Sequence, residues 1–380
     1  MLTLISRADV YAPAPLGLCD VFIADGRIAA IASHIDPRGI DDCLQRIDAD
    51  GAVLVPGLVD SLVHLSGGGG EGGFVSRTAP LLAEDALRAG VTTLIGALGT
   101  DDVTRSHADL LAHARALCAH GLSAYALSGS YRVPLCTVTG SLRDDLVLIA
   151  DLIGVGEIAI ADHRGSQPSA AELARIAADA RVGGMLAGKA GTVLIHVGDG
   201  SEGLALLQQV CSQFEVPISQ FLPTHINRSV GLLKQGVAWT RQGGNIDLTT
   251  SSSEQLVAAG DIPAAQALSI LLAQGTDGSR IGMSSDAQAS LPNFDRNGHL
   301  LGIDIAAIGS LLAAFASAVH EHAIPLSEAL RTVTENPARF WGLARKGRIE
   351  VGADADLLLL DPATLQVQMT MASGRVWSWL

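Results

Sequence analysis

Short runs of β-branched and aliphatic residues alternate with Ala/Leu-rich stretches of helical spacing over most of the chain. Candidate strands fall at 53–59, 91–95, 123–127, 157–161, 192–196, 220–224, 245–249 and 280–284. Helical spacing is clearest at 79–89, 108–120, 170–187 and 264–273. Eight short strands, each followed by a helical stretch, predict an α/β fold closed into a (β/α)8 TIM-like barrel rather than an open sheet. The two ends of the chain read differently. Val21-Phe22-Ile23 runs into the turn pair Asp25-Gly26, and Arg27 to Ile31 answers it as a hairpin. Strand texture returns only at 347–351, 355–360 and 366–369. Neither end has enough strands to stand alone, so both are expected to join in a small β-sandwich domain. The predicted division is 1–54 with 346–380 for that domain, and 55–345 for the barrel.

Composition narrows the function. With 48% hydrophobic and 17% charged residues the chain can bury a large core, and with only 4% aromatics that core must rest on Ala, Val, Leu and Ile. A formal net charge of −14 without a basic stripe makes nucleic acid and anionic membrane poor partners. The five cysteines lie far apart with no Cys-x-x-Cys pair, which argues against a disulfide framework and a thiolate zinc site. Arg7 and Asp9 come too early for a secretory apolar stretch. No uncharged apolar window of about 18 residues follows. A cytoplasmic protein is expected.

Polar residues collect where the strands end. The first strand leads to Asp60 and His64. The fourth carries Glu157 and leads to Asp162-His163-Arg164, and the fifth reaches His196. The sixth finishes at Thr224-His225, and the eighth at Ser284-Ser285-Asp286. Barrel closure brings such ends to one mouth, where chemistry collects in this architecture. Imidazole with carboxylate suits zinc and similar divalent ions. Three such ligands with one open position lower the pKa of bound water to about 7. Taken singly, each histidine is as well explained as a satisfied core residue. A strand-end carboxylate beside a cation serves equally as ligand or as proton shuttle.

The order of local motifs resembles that of the amidohydrolase superfamily and, within it, the bacterial isoaspartyl dipeptidases. The match runs through Val55-Pro56-Gly57-Leu58-Val59-Asp60, His64-Leu65 with the following Gly67-Gly68-Gly69-Gly70-Glu71, and Leu98-Gly99-Thr100-Asp101. It continues through Gly129-Ser130-Tyr131-Arg132-Val133-Pro134, Asp162-His163-Arg164, Leu222 to Arg228, and Ser284-Ser285-Asp286. Two departures stand out. The family's first strand ends His-x-His, and here it reads Leu62-Val63-His64, so one metal ligand is gone. The family's bridging carboxylated lysine falls at Glu157, which supplies a carboxylate directly.

The resemblance implies a site with one divalent metal per chain, zinc being the expected ion, held by Glu157, His196 and His225 with His64 a further candidate. Asp286 is then the general base and acid, and Tyr131 the donor that steadies the oxyanion. Arg164 and Arg228 grip substrate carboxylates, since guanidinium meets carboxylate bidentately. Glu71 takes the α-ammonium, and Gly69, Thr100 and Ser290 add contacts. The implied reaction is hydrolysis of the isopeptide amide of β-aspartyl dipeptides by attack of metal-activated water. The alternatives are another N-acyl amino acid or cyclic amide, and a non-catalytic barrel that has lost its metal centre. The implied partners are a small dipeptide and further copies of the chain in a homo-oligomer. His107, His113, His120, His163, His320 and His322 are expected to face solvent or cap helices.

Overall fold

The computed structural model describes residues 2–294 and 300–379, so the outermost residues of the expected terminal domain, 1 and 380, lie outside the described residues. The barrel strands are β1 (Leu58–Val63), β2 (Val91–Gly96), β3 (Ser123–Ser128), β4 (Leu152–Ile160), β5 (Thr192–Val197), β6 (Phe221–Thr224), β7 (Ile246–Thr249) and β8 (Ile281–Ser284). β1 to β6 form one parallel sheet in chain order, and β7 pairs with β8 in parallel. The chain beyond β8 returns to β1 through the Val63–Ala287 bridge and through Asp286 N–H donating to Leu62 O at 3.0 Å. Between β6 and β7 the side chain of Asn227 completes the wall. Its Nδ2 donates to Thr249 O and its Oδ1 accepts from Thr249 N.

The interior is packed. Val59, Leu62, Ile95, Leu127, Leu194 and Leu222 are buried together, and Trp341 joins them with its indole N–H donating to Ser61 Oγ at 3.0 Å. A larger apolar shell lies between strands and helices. The helix Ala170–Ala187 shows why the outer layer forms. Ser169 and Glu172 make a reciprocal capping box, and Gly188 ends the helix in the left-handed region. Leu173, Ala177 and Ala180 face inward at three- and four-residue spacing. Its bounds, and those of Ala264–Ala273, coincide with the sequence expectation.

Strands from both termini form the second sheet, eight-stranded, with Leu2–Tyr11 at its centre and Arg27–Ala32 and Arg375–Ser378 at the two ends of its order. The sheet curls. Ile28 N donates to Ala353 O, Gly26 packs against Ser373 and Gly374, and the inward residues share a core with Leu357 and Met371. Gly26 is required there, since a Cβ at its φ of +71° would lie 2.9 Å from Ser373 O.

Four element expectations need correction. The run 53–59 is two strands: Val53–Pro56 pairs with both termini, and β1 begins at Leu58. Gly57 separates them, its N–H going to Asp356 O, and a Cβ there would strike Thr92. β4 begins at Leu152, so Glu157 is well inside a strand. The 79–89 helix spans only Ala83–Arg88, since Leu81 N donates to Leu65 O and Leu82 is extended. Residues 347–351 form no strand although Ile349 is buried. Among the described residues, no helix is long and apolar enough to cross a membrane. All five cysteines are free thiols.

Candidate active site

β4, β5 and the residue after β6 bring Glu157, His196 and His225 together at the C-terminal mouth of the barrel. One ligand atom from each lies within 4.8 Å of the others, and all three residues are buried. His196 Nδ1 is 3.3 Å from Glu157 Oε2 and 3.0 Å from His225 Nε2. His225 sits in the left-handed region at φ 63°, which turns its ring inward from the strand end, where Nδ1 meets Thr249 Oγ1. Burial first, then the neighbouring Arg228 and His196, pushes His225 down to about 4, so its imidazole is neutral and keeps a lone pair at physiological pH. Burial alone would favour a protonated Glu157, but hydrogen bonds from the two imidazoles outweigh it and hold the carboxyl well below its ordinary range.

His64 adjoins the cluster from β1. Its Nε2 is 3.7 Å from Glu157 Oε1 and 3.2 Å from Asp286 Oδ1, and its Nδ1 is 3.3 Å from Ala97 O. Burial opposes its charge, yet the Asp286 and Glu157 carboxylates push it up to about 9. Gly99 lies against this ring: at φ +76°, a Cβ would come within 2.8 Å of His64 Cε1. Asp286 also has a positive φ, 54°, and its buried Oδ1 is paired with the His64 imidazole at 3.2 Å. Leu62 points instead into the apolar interior, fully buried.

Above the cluster lies a small polar cavity of about 70 Å³. Among its lining are His64, Gly69, Glu71, Thr100, Tyr131, Arg164, His196, Arg228, Asp286 and Ser290. Every candidate residue read from the sequence is therefore in its wall except His225, which lines the adjoining hollow, and Glu157, which contacts the wall residue His196. It shares Arg164, Arg228, Asp286, Ser290 and Leu291 with a wider hollow of about 370 Å³, so the two are one contiguous space.

Tyr131 is buried, with its Oη 2.7 Å from His196 Nδ1. Burial and the Glu157 charge raise its pKa well above the ordinary phenol value, so it remains a donor. Arg228 Nη1 donates to Val197 O at 2.9 Å. Arg164 is held bidentately by Asp162, with Nε to Oδ1 at 3.0 Å and Nη2 to Oδ2 at 2.6 Å, which leaves Nη1 3.7 Å from Glu71 Oε1. Glu71 accepts from Thr100 Oγ1 at 2.9 Å and from Ser290 Oγ at 3.0 Å. Its loop needs glycine at position 69, where a Cβ at φ +70° would stand 2.4 Å from Ser76 O.

Two residues outside the sequence-derived set shape the site. Asp162 orients Arg164, and its place in the Asp-His-Arg motif was the available signal. Arg105 is buried and donates to Ser66 O, Gly68 O and Thr78 O, which fixes the glycine-rich loop. Nothing in its local sequence marks it. Of the histidines set aside, His163 is exposed as expected. His107 is not: it is 5% exposed and its Nε2 meets Gly129 O at 3.0 Å. Packing of its helix onto β3 buries the ring, a contact that helical spacing alone does not reveal.

Comparison with known proteins places these features in a wider set. Residues 227–377 match the model of the Amidohydrolase family. A solved structure, the β-aspartyl dipeptidase of Fervidobacterium islandicum AW-1 in complex with β-Asp-Leu, is 40% identical, with a TM-score of 0.91 over 99% of this chain and 96% of its own. A curated dihydroorotase of Pelotomaculum thermopropionicum is 27% identical over 90% of this chain and 84% of its own length. The N-acetylglucosamine-6-phosphate deacetylase of Pasteurella multocida shares the fold, with a TM-score of 0.63 at 18% identity and full coverage of both chains.

Proposed function

The chain belongs to the amidohydrolase superfamily, and from that premise we propose that it hydrolyses the isopeptide amide of β-aspartyl dipeptides with one divalent cation, zinc being the expected ion. The donor set fits such a cation. Two imidazoles and a carboxylate converge with ligand atoms within 4.8 Å, and His225 is held neutral. When bound, the cation supplies Lewis acidity and lowers the pKa of water.

The protein's own groups then divide the work. Asp286, which lines the cavity, takes the proton from the attacking water and returns it to the leaving amine. Tyr131, kept protonated, donates to the carbonyl oxygen as negative charge develops there. His64, on the side that Leu62 has left without a ligand, fixes the electrostatic setting of Asp286. Arg164 and Arg228 hold the two substrate carboxylates, and Glu71 takes the ammonium.

The observation that carries the substrate class is the pairing of Glu71 with Arg164. A carboxylate with Thr100 and Ser290 at its oxygens stands 3.7 Å from a guanidinium whose other edge is already occupied by Asp162. That arrangement complements an ammonium and a carboxylate on one carbon, which is the free α-end of a β-aspartyl group. Ordinary α-peptides use that carboxyl in the peptide bond. Dihydroorotate, the cyclic amide that the curated relative's name brings forward, has no ammonium to meet Glu71.

The test is turnover of β-Asp-Leu by the metal-loaded enzyme against α-Asp-Leu, N-acyl amino acids and dihydroorotate. β-Asp-Leu is expected to exceed each of the others in kcat/KM by at least about 100-fold, the discrimination a lost charged contact gives. Faster turnover of dihydroorotate or of an N-acyl amino acid would overturn the substrate assignment. No turnover of any amide would favour the non-catalytic barrel.

A further inference from the structure

Ser130 and Arg132 flank Tyr131 in the loop after β3, and both turn to a single carboxylate oxygen. Ser130 Oγ donates to Asp102 Oδ2 at 2.6 Å, and Arg132 Nε donates to the same atom at 2.7 Å. Asp102 belongs to a different loop, the one after β2, two residues beyond Thr100. Its side chain is 4% exposed, lies outside the metal cluster, and does not line the cavity.

A buried carboxylate persists as an ion only where donors compensate for the lost water. Both side chains that compensate here are chain neighbours of the phenol. With the residues on either side drawn to Asp102, Tyr131 leaves the backbone toward the other partner within reach, His196, at 2.7 Å. Neighbouring bonds fix the loop's backbone: Ala159 N donates to Tyr131 O, and Val133 N to Ser166 Oγ. The Asp102 contacts instead join the Thr100 loop to the Tyr131 turn, so the anchor of Glu71 and the donor phenol share one support.

We propose that Asp102 is a positioning residue that holds Tyr131 in register with the reacting carbonyl. The inference rests on the reading of Tyr131 as the transition-state donor. A donor of this kind acts only within about 2.7–3.1 Å of the developing oxyanion. A displacement of about 1 Å costs roughly 10²-fold.

The experiment is steady-state kinetics of the metal-loaded enzyme on β-Asp-Leu for Asp102→Ala and Arg132→Gln, each alone and with Tyr131→Phe. Asp102→Ala is expected to lower kcat by about 10- to 100-fold with KM within about threefold, below the ~10²–10³-fold cost of losing the donor itself. With Tyr131→Phe present, the same change is expected to lower kcat by less than about threefold, since residues acting through one group are non-additive. An undiminished loss in the Tyr131→Phe background, an unchanged kcat, or a loss confined to KM would overturn the inference. Should Asp102→Ala fail to fold, Arg132→Gln at an exposed side chain carries the same cycle. If the wild-type enzyme does not hydrolyse β-Asp-Leu, the functional reading fails by itself. A crystal structure of Asp102→Ala then decides this inference: Tyr131 Oη away from His196 supports it, and Oη still in hydrogen-bond contact overturns it.

Discussion

Replacing Lys346 with methionine isolates the ion cluster that ties the terminal sheet to the barrel. Its ammonium has three protons and three acceptors: Ser123 Oγ at 2.6 Å, Asp356 Oδ2 at 2.6 Å and Asp354 Oδ2 at 3.0 Å. Ser123 opens β3, and Asp356 directly precedes the terminal-sheet strand Leu357–Leu360. Methionine keeps the stem's volume, so the change removes charge and donors rather than packing. Asp354 retains Arg345 Nε at 3.0 Å and is 17% exposed, so it loses little. Asp356 is 3% exposed and, among the described residues, keeps only the Ser373 N–H at 2.7 Å. Stranding one buried carboxylate in this way costs about 3–5 kcal/mol. With an unfolding entropy near 2.1 cal/mol/K per residue, a chain of 380 residues is expected to lose roughly 4–6 °C in Tm. Burial opposes the Lys346 charge, but Asp356 and Asp354 outweigh it and raise its pKa. A raised folded pKa means the contribution is whole below the unfolded value of about 10.4 and is lost as pH rises past the folded value. The Lys346→Met deficit is therefore expected to be constant at neutral pH and to shrink only in strong alkali. Calorimetry and denaturant midpoints of Lys346→Met, Asp356→Asn and the double variant measure it, and the double is expected to recover at least half of the Lys346→Met loss. A Lys346→Met cost below about 1 kcal/mol, in the range of exposed pairs, would refute the reasoning.

The metal centre and the substrate clamp are open to separate tests. Elemental analysis of the wild-type protein is expected to give about one divalent ion per chain, as three convergent ligands require. Glu157→Gln is expected to lose that ion and Leu62→His to raise occupancy; two ions per wild-type chain would contradict the single-ion reading. Glu71→Gln is expected to raise KM for β-Asp-Leu by roughly 10- to 100-fold, the worth of a charged hydrogen bond, with a smaller change in kcat. An N-acetylated analogue lacks the ammonium and should not distinguish Glu71→Gln from wild type; if it does, Glu71 has another role.

Much of the molecule was legible because the controlling information is local. Ser169, Glu172 and Gly188 bound their helix within a few residues of where each acts, and the patterning of apolar runs located six of the eight barrel strands to within a residue. Polar residues at strand ends marked Glu157, His196, His225 and Asp286, since parallel strands in a barrel point one way and must deliver their ends to one mouth. The misplacements share a different cause. The division at Gly57, the early start of β4, the burial of His107 and the work of Arg105 each depend on what packs opposite, and nothing nearby in the chain states it.

The sequence by itself thus determined most of the elements, the barrel and the kinds of side chain available at its mouth. Only the tertiary structure decided which of them touch. Glu71 meets Ser290 across 219 residues of chain, and Asp60 meets Ser285 across 225. Such contacts exist because closing the barrel brings its first and last strands together, and no propensity of the residues themselves encodes that meeting. Backbone preference acts over one turn or one strand, whereas a charge clamp needs distances set by the whole sheet.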